Sequence, residues 1–262
     1  MNILDKIIAT KENEVAKQKQ KVSIEQLKQY PGFARKCNSL KENLLSPGAS
    51  GIIAEFKQKS PSKGEINFVV KVEEVTKAYT QAGASCLSVL TDYEYFGGTL
   101  ANLAKAREIN PTIPILRKDF MIDSYQIIEA KAYGADVILL IAACLEKNQA
   151  LELAKCAKTL GLDVLMEIHN AQELDIVNDY VDIVGVNNRN LKTFEVSVET
   201  SVELSKLIPD NFVKISESGL AGATEINYLK EHGFKGFLIG ETFMKTADPG
   251  AACKKLIEEI GD

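Results

Sequence analysis

The chain has 262 residues, 45% of them hydrophobic and 26% charged, enough for one large buried core or two modest ones. Its net charge of −5 offers no general attraction to nucleic acid or anionic membrane, so an anionic ligand needs a local cationic site. Five scattered cysteines (Cys37, Cys86, Cys144, Cys156 and Cys253) and only two histidines give neither a disulfide framework nor a metal-ligand spacing, and no metal or cofactor is expected.

Charges begin at Asp5 and Lys6, where a signal peptide would be apolar, and the longest apolar run, 137–145, is too short for a membrane span of about 20 residues. The expectation is a soluble cytoplasmic protein. Ile3, Leu4, Ile7 and Ile8 share the spacing of an amphipathic helix, and the charged stretch 11–21 reads as its solvated face. Ser23 with Gln26 forms a capping-box pattern, and a further helical stretch is predicted over 33–45, ending at Ser46-Pro47-Gly48. Residues 1–50 are expected to pack as a helical extension on a barrel, within one domain spanning 1–262.

From Gly51 onward, short apolar runs at 52–56, 86–90, 113–117, 137–142, 163–168, 183–187, 212–216 and 237–239 predict eight strands. Most are continuously apolar, as in parallel strands covered on both faces. Helical spacing separates them, as in Val72, Val75 and Tyr79, or Leu151, Ala154 and Ala157, or Ile226 and Leu229. Gly83, Gly134, Gly161 and Gly233 follow helical segments, where a left-handed terminus favours glycine. Eight strand–helix units without a G-x-G-x-x-G turn point to an α/β fold, a closed (β/α)8 or TIM barrel.

In such a barrel the chemistry gathers at the carboxyl ends of the strands. Those positions hold Glu55 and Lys57, Thr91 and Asp92, Lys118, Glu167, Asn187 and Arg189, Glu217 and Ser218, then Gly240 and Glu241. The opposite ends supply few comparable groups. Ser216-Glu217-Ser218-Gly219 and Ile239-Gly240-Glu241 end the last two strands, where backbone N–H groups can cradle a phosphate, with Ser60 on the first loop adding a hydroxyl. Lys57, Lys118, Glu167, Asn187 and Arg189 form a second group, in which neighbouring lysines should depress each other's pKa and Glu167 should serve as a base. A structural ion-pair network across the barrel mouth is the alternative for this group. Phe96 and Phe120, just beyond strands two and three, suit either loop packing or an aromatic-substrate pocket. His169 reads as an exposed helix-start residue, and His232 as a group in a last helical turn.

Seven motifs run in order along the chain: E-x-K-x-x-S-P-S-x-G at 55–64, L-T-D-x-x-Y-F-x-G at 90–98, L-R-K-D-F at 116–120, L-M-E-I-H at 165–169, G-V-N-N-R-N-L at 185–191, S-E-S-G at 216–219 and L-I-G-E at 238–241. Together they resemble the motifs of the indole-3-glycerol phosphate synthase family. The resemblance implies closure of 1-(2-carboxyphenylamino)-1-deoxyribulose 5-phosphate to indole-3-glycerol phosphate, with loss of carbon dioxide and water. By position it makes Lys118 the general acid, Glu167 the general base, and Lys57 the lysine on the substrate carboxylate, with a possible share in proton transfer. Glu55 and Glu217 become supporting acids, and Asn187 and Arg189 orient the substrate. Ser60, Ser218, Gly219, Gly240 and Glu241 fall at phosphate positions, and Phe96, Phe120 and Leu191 at the anthranilate-ring pocket. Ser197 stands where an Asp is common in the family. The partner implied is a small phosphorylated substrate, with neither nucleic acid nor membrane. A rival barrel such as phosphoribosylanthranilate isomerase would favour a Cys/Asp pair at the strand ends, and a non-catalytic barrel would have no need of Lys118 and Glu167.

Overall fold

The computed structural model describes residues 3–191 and 193–261. Eight parallel strands close on themselves: β1 (Ile52–Phe56), β2 (Cys86–Leu90), β3 (Ile115–Lys118), β4 (Val137–Ile141), β5 (Asp163–Ile168), β6 (Ile183–Asn187), β7 (Val213–Glu217) and β8 (Phe234–Ile239). Closure is visible at Ile53, which lies opposite Leu238 of β8 on one side and Cys86 of β2 on the other.

Successive strand residues point to opposite faces, so alternate positions divide the barrel into an outside and an inside. Ile52, Ala54, Leu87, Val89, Ile115 and Ile138 join the large outer cluster beneath the helices. Ile53, Leu116, Leu139, Leu165, Ile215 and Leu238 form a separate inner cluster, plugged from below by Leu40 and Leu44. Two residues farther along these same rows stand Glu55, Lys118, Glu167 and Glu217. The alternation that packs the barrel interior therefore also lifts a charged layer to its carboxyl end.

The N-terminal segment contains α1 (Ile3–Lys21), α2 (Ile24–Leu27) and α3 (Leu40–Leu45). The capping box at Ser23 and Gln26 forms as expected. The predicted helix over 33–45 forms only in its last part. Asn38 N–H donates to Asp136 at 2.8 Å, Arg35 donates to the carbonyls of Gly134 and Ala135, and Ser39 caps α3, so extended chain satisfies these groups better than a helix.

The helices between strands are α4 (Val72–Gln81), α5 (Leu100–Ile109), α6 (Ser124–Ala132), α7 (Lys147–Thr159), α8 (Glu199–Ser205) and α9 (Ala223–Glu231), with α10 (Glu241–Met244) and α11 (Pro249–Gly261) after β8. The expectation of eight strand–helix units fails after β5, where only a 3-10 turn over Ala171–Ile176 intervenes. Strand three begins later than predicted, because Pro114 has no N–H for the ladder and Ile115 N–H is taken by Asp136. Strand eight begins earlier and carries an irregularity between Phe234 and Gly236. Among the described residues no helix is long and apolar enough to cross a membrane.

Candidate active site

The fifteen residues to which the family resemblance gives roles all line one cavity of about 620 Å³ at the carboxyl end of the barrel. At its floor Lys118 Nζ donates to Glu167 Oε2 at 2.8 Å and to Glu217 Oε2 at 2.9 Å. Glu55 stands alongside, with Oε1 3.0 Å from Lys57 Nζ and Oε2 accepting from Ser88 Oγ at 3.2 Å. Asn187 Nδ2 donates to Glu167 Oε1 at 3.1 Å, and its own Oδ1 accepts the Arg189 backbone N–H at 3.0 Å.

Two glycines make room for this layer. A Cβ on Gly185 would lie 2.7 Å from Glu217 Oε1, and one on Gly240 would lie 2.6 Å from Glu55 Oε1. Both sit in the inward rows, so each removes a side chain exactly where a neighbouring carboxylate needs the space.

The electrostatics correct one expectation. Burial disfavours the Lys118 ammonium, but Glu167, Glu217 and Glu55 outweigh it and raise its pKa above that of ordinary lysine. Carboxylates, not the second lysine, dominate its surroundings. Burial acts to raise Glu167, yet Lys118 and His169 hold it well below the usual carboxylate range. Glu217 goes the other way: burial raises it against the pull of Lys118, Glu167 adds to the rise, and its carboxyl is pushed up to about 7.

Above the floor the cavity has two differently built sides. Phe96 and Phe120 lie with ring centroids 6.1 Å apart, and Leu191 lines the same cavity. Across from them the chain leaves β7 through two left-handed residues, Ser218 at φ 69° and Gly219 at φ 74°. A left-handed serine is uncommon, and this one is held by Asn188. Asn188 Nδ2 donates to the Ser218 carbonyl at 3.0 Å and to Ser216 Oγ at 2.9 Å, while its Oδ1 accepts from Ser201 N–H and Oγ. Ser60 lies in a short hairpin over the same side, and Glu241 begins α10 with its side chain 3.5 Å from Lys63 Nζ.

Several groups stand differently from their sequence reading. Asp92 is outside the cavity lining; it pairs with Lys11 of α1 at 2.9 Å, and Asp119 pairs with the same ammonium at 3.0 Å. Thr91 Oγ1 supports Asp119 at 2.6 Å. Lys11 is therefore only 3% exposed, not part of a solvated face. The anchored α1 brings Ile3, Leu4 and Ile7 to the cavity wall, a contribution that helical spacing alone did not reveal. His169 is also not exposed: its side chain is 8% accessible and lies 3.2 Å from Glu167. The signal was present, since a residue two places after Glu167 falls on the same strand face. His232 does end α9 as expected, with its ring against the Tyr228 carbonyl at 2.8 Å.

Sequence comparison adds a lineage to this geometry. The family model for indole-3-glycerol phosphate synthase matches residues 4–256. The chain belongs to that family. It is 48% identical over 259 residues to the indole-3-glycerol phosphate synthase of Bacteroides thetaiotaomicron, covering 99% of both chains. It is 46% identical to the enzyme of the same name from Polynucleobacter asymbioticus, covering 97% of this chain and 98% of the relative. The family is one of carboxy-lyases of tryptophan biosynthesis, and the chain is such a lyase. Two solved structures share the fold alone, each at 13% identity. A 3-hexulose-6-phosphate synthase aligns with TM-score 0.63 over 80% of this chain and 99% of its own. The tryptophan synthase alpha subunit of Legionella pneumophila aligns with TM-score 0.61 over 85% and 97%.

Proposed function

We propose that the Lys118–Glu167–Glu217 cluster closes and aromatises the indole ring of 1-(2-carboxyphenylamino)-1-deoxyribulose 5-phosphate. The observation that carries this reading is the placement of Lys118 between two buried carboxylates, below an aromatic pair on one side and a left-handed phosphate-type turn on the other. The anthranilate ring lies against Phe96, Phe120 and Leu191. The phosphate lies at the backbone of Ser218, Gly219, Gly240 and Glu241, with Ser60 above it. Glu241 contributes through its main chain, because its carboxylate would repel the anion and is already beside Lys63.

Lys57 exchanges its contact with Glu55 for the substrate carboxylate, and Arg189 and Asn187 orient the chain between ring and phosphate. Attack of the aromatic carbon on the ketone turns the carbonyl oxygen into an alkoxide, which Lys118 protonates. A raised pKa keeps Lys118 charged until that strongly basic oxygen develops. Loss of carbon dioxide restores the benzene ring. The new hydroxyl then leaves as water on a proton from Lys57, or from Lys118 once reprotonated, while Glu167, held as a carboxylate, accepts the ring proton. Glu55 and Glu217 keep the lysines in place.

A cytoplasmic setting belongs to the same reading and is supported by five cysteines that are all free thiols. The test is to mix the purified protein with this substrate and follow indole fluorescence. The chain contains no Trp, so the background is low. Appearance of stoichiometric product is expected, and no fluorescence with substrate bound would overturn the assignment.

A further inference from the structure

The geometry points to His169 as a positioning residue that carries a positive charge and fixes the base Glu167 through one oxygen, leaving the other for proton transfer. The proposal rests on the assignment of Glu167 as base. His169 takes no part in the steps proposed for the cluster, although its ring is buried against the site.

Each ring nitrogen faces a carboxylate: Nε2 lies 3.2 Å from Glu167 Oε1, and Nδ1 lies 3.2 Å from Glu173 Oε2. A neutral imidazole has one N–H and one lone pair, so it would set that lone pair against one of the two anions. Protonation of both nitrogens removes the conflict. Glu173 is itself fixed, because its Oε2 accepts the His169 backbone N–H at 2.8 Å and its Oε1 accepts Asn170 Nδ2 at 2.7 Å. The 3-10 turn that replaces a helix after β5 thus serves to bring Glu173 beneath the ring.

Among the described residues, Glu167 faces the ring from β5, Glu173 faces it from the turn, and the Cys144 thiol in the 3-10 turn after β4 senses both carboxylates. Burial lowers the His169 pKa, but the two glutamates prevail and bring it to about 10.

The consequence for Glu167 is a division of labour between its oxygens. Oε1 accepts from Asn187 Nδ2 at 3.1 Å and lies 3.2 Å from His169 Nε2, a buried nitrogen with no other partner among the described residues, whereas Oε2 accepts from Lys118. When Lys118 gives its proton to the substrate, it ceases to be a cation. The imidazolium then remains as the neighbour that keeps Glu167 ionised and its carboxylate plane fixed.

The test combines nitrogen NMR with kinetics. The chain has two histidines, so a His232→Gln background leaves one imidazole to observe. At pH 8 both ring nitrogens of His169 should show imidazolium shifts; a neutral tautomer there would overturn the proposal. His169→Gln should lower kcat about tenfold with KM unchanged, and should move the acidic limb of the kcat–pH profile upward by about one unit. An unmoved profile would reduce His169 to a packing role. If that variant does not fold, Glu173→Gln gives an independent reading. It should leave kcat near wild type at pH 6 and introduce a loss as pH rises, through earlier deprotonation of the ring; a flat profile would count against the charge. A wild-type protein that fails to turn over substrate would remove the catalytic role along with the assigned reaction, whereas the spectrum would still report the charge.

Discussion

The two ends of the barrel both bury charge, and they do so in opposite ways. At the amino end Asp136 is fully buried, yet all its acceptor positions are used: Oδ1 takes Arg35 and Asn38 N–H, and Oδ2 takes Arg107 and Ile115 N–H. Asp163 accepts from Ser39 and Lys41 N–H, and Asp182 from Lys158 and Val164 N–H. At the carboxyl end Glu217 Oε1 has no hydrogen-bond partner among the described residues, and three glutamates crowd around Lys118. Saturation by backbone donors makes a charge structural, because nothing is left for a ligand to satisfy. Incomplete satisfaction leaves electrostatic work for a substrate to complete.

Removing one charge from each end should therefore give different failures. Lys118→Ala is expected to lower kcat by about 10²–10⁴-fold while binding of indole-3-glycerol phosphate persists, because phosphate and ring contacts lie elsewhere. Glu167→Gln should fall in the same range. Asp136→Asn should instead cost about 3–5 kcal/mol in urea denaturation, since it leaves the buried Arg107 and the half-buried Arg35 with an uncharged partner. Its kcat per folded molecule should match wild type. A large drop in that kcat would erase the distinction between the ends.

A finer probe fills the space that the carboxyl end keeps open. Gly185→Ala places a methyl group against Glu217 Oε1, so the carboxylate must shift away from Lys118. The expected cost is about 1–3 kcal/mol of stability, with a fall in kcat and little change in KM. Unaltered kcat would mean that the position of Glu217 does not matter to turnover.

The contrast also separates what could be read in the sequence from what could not. Barrel strands were legible because eight continuous apolar runs recur at regular spacing, and four of them have the bounds predicted. The active layer was legible because polar residues at successive strand ends must converge once the barrel closes. The amino end was misread as poor in charge, because Asp136 and Asp182 each look like an ordinary turn residue before a strand and Asp163 like the polar first residue of one. Their partners, Arg35, Arg107 and Ser39, are distant in sequence. Lys11 and His169 were misread for the same reason: a local pattern assigned each to solvent, and a carboxylate from another element claimed it. The helix expected after β5 was read from the strand–helix repeat alone, and only a 3-10 turn forms there.

The smallest effect tests the unsatisfied end through its pH dependence. Glu217 has a folded pKa of about 7 against an ordinary 4.5, so the folded protein holds this proton where the unfolded chain releases it. Stability contributed by the neutral carboxyl is therefore present below about 4.5 and is lost as pH rises toward 7. Glu217→Gln keeps the shape and removes the titration. The variant should match wild type in stability near pH 4.5 and exceed it at pH 8 by something on the order of 1 kcal/mol, read as a difference in Tm. Its turnover should nonetheless fall, by less than in Lys118→Ala. A variant less stable than wild type at pH 8 would show that the Lys118 contact outweighs the crowding of carboxylates, and that this end is as structurally satisfied as the other.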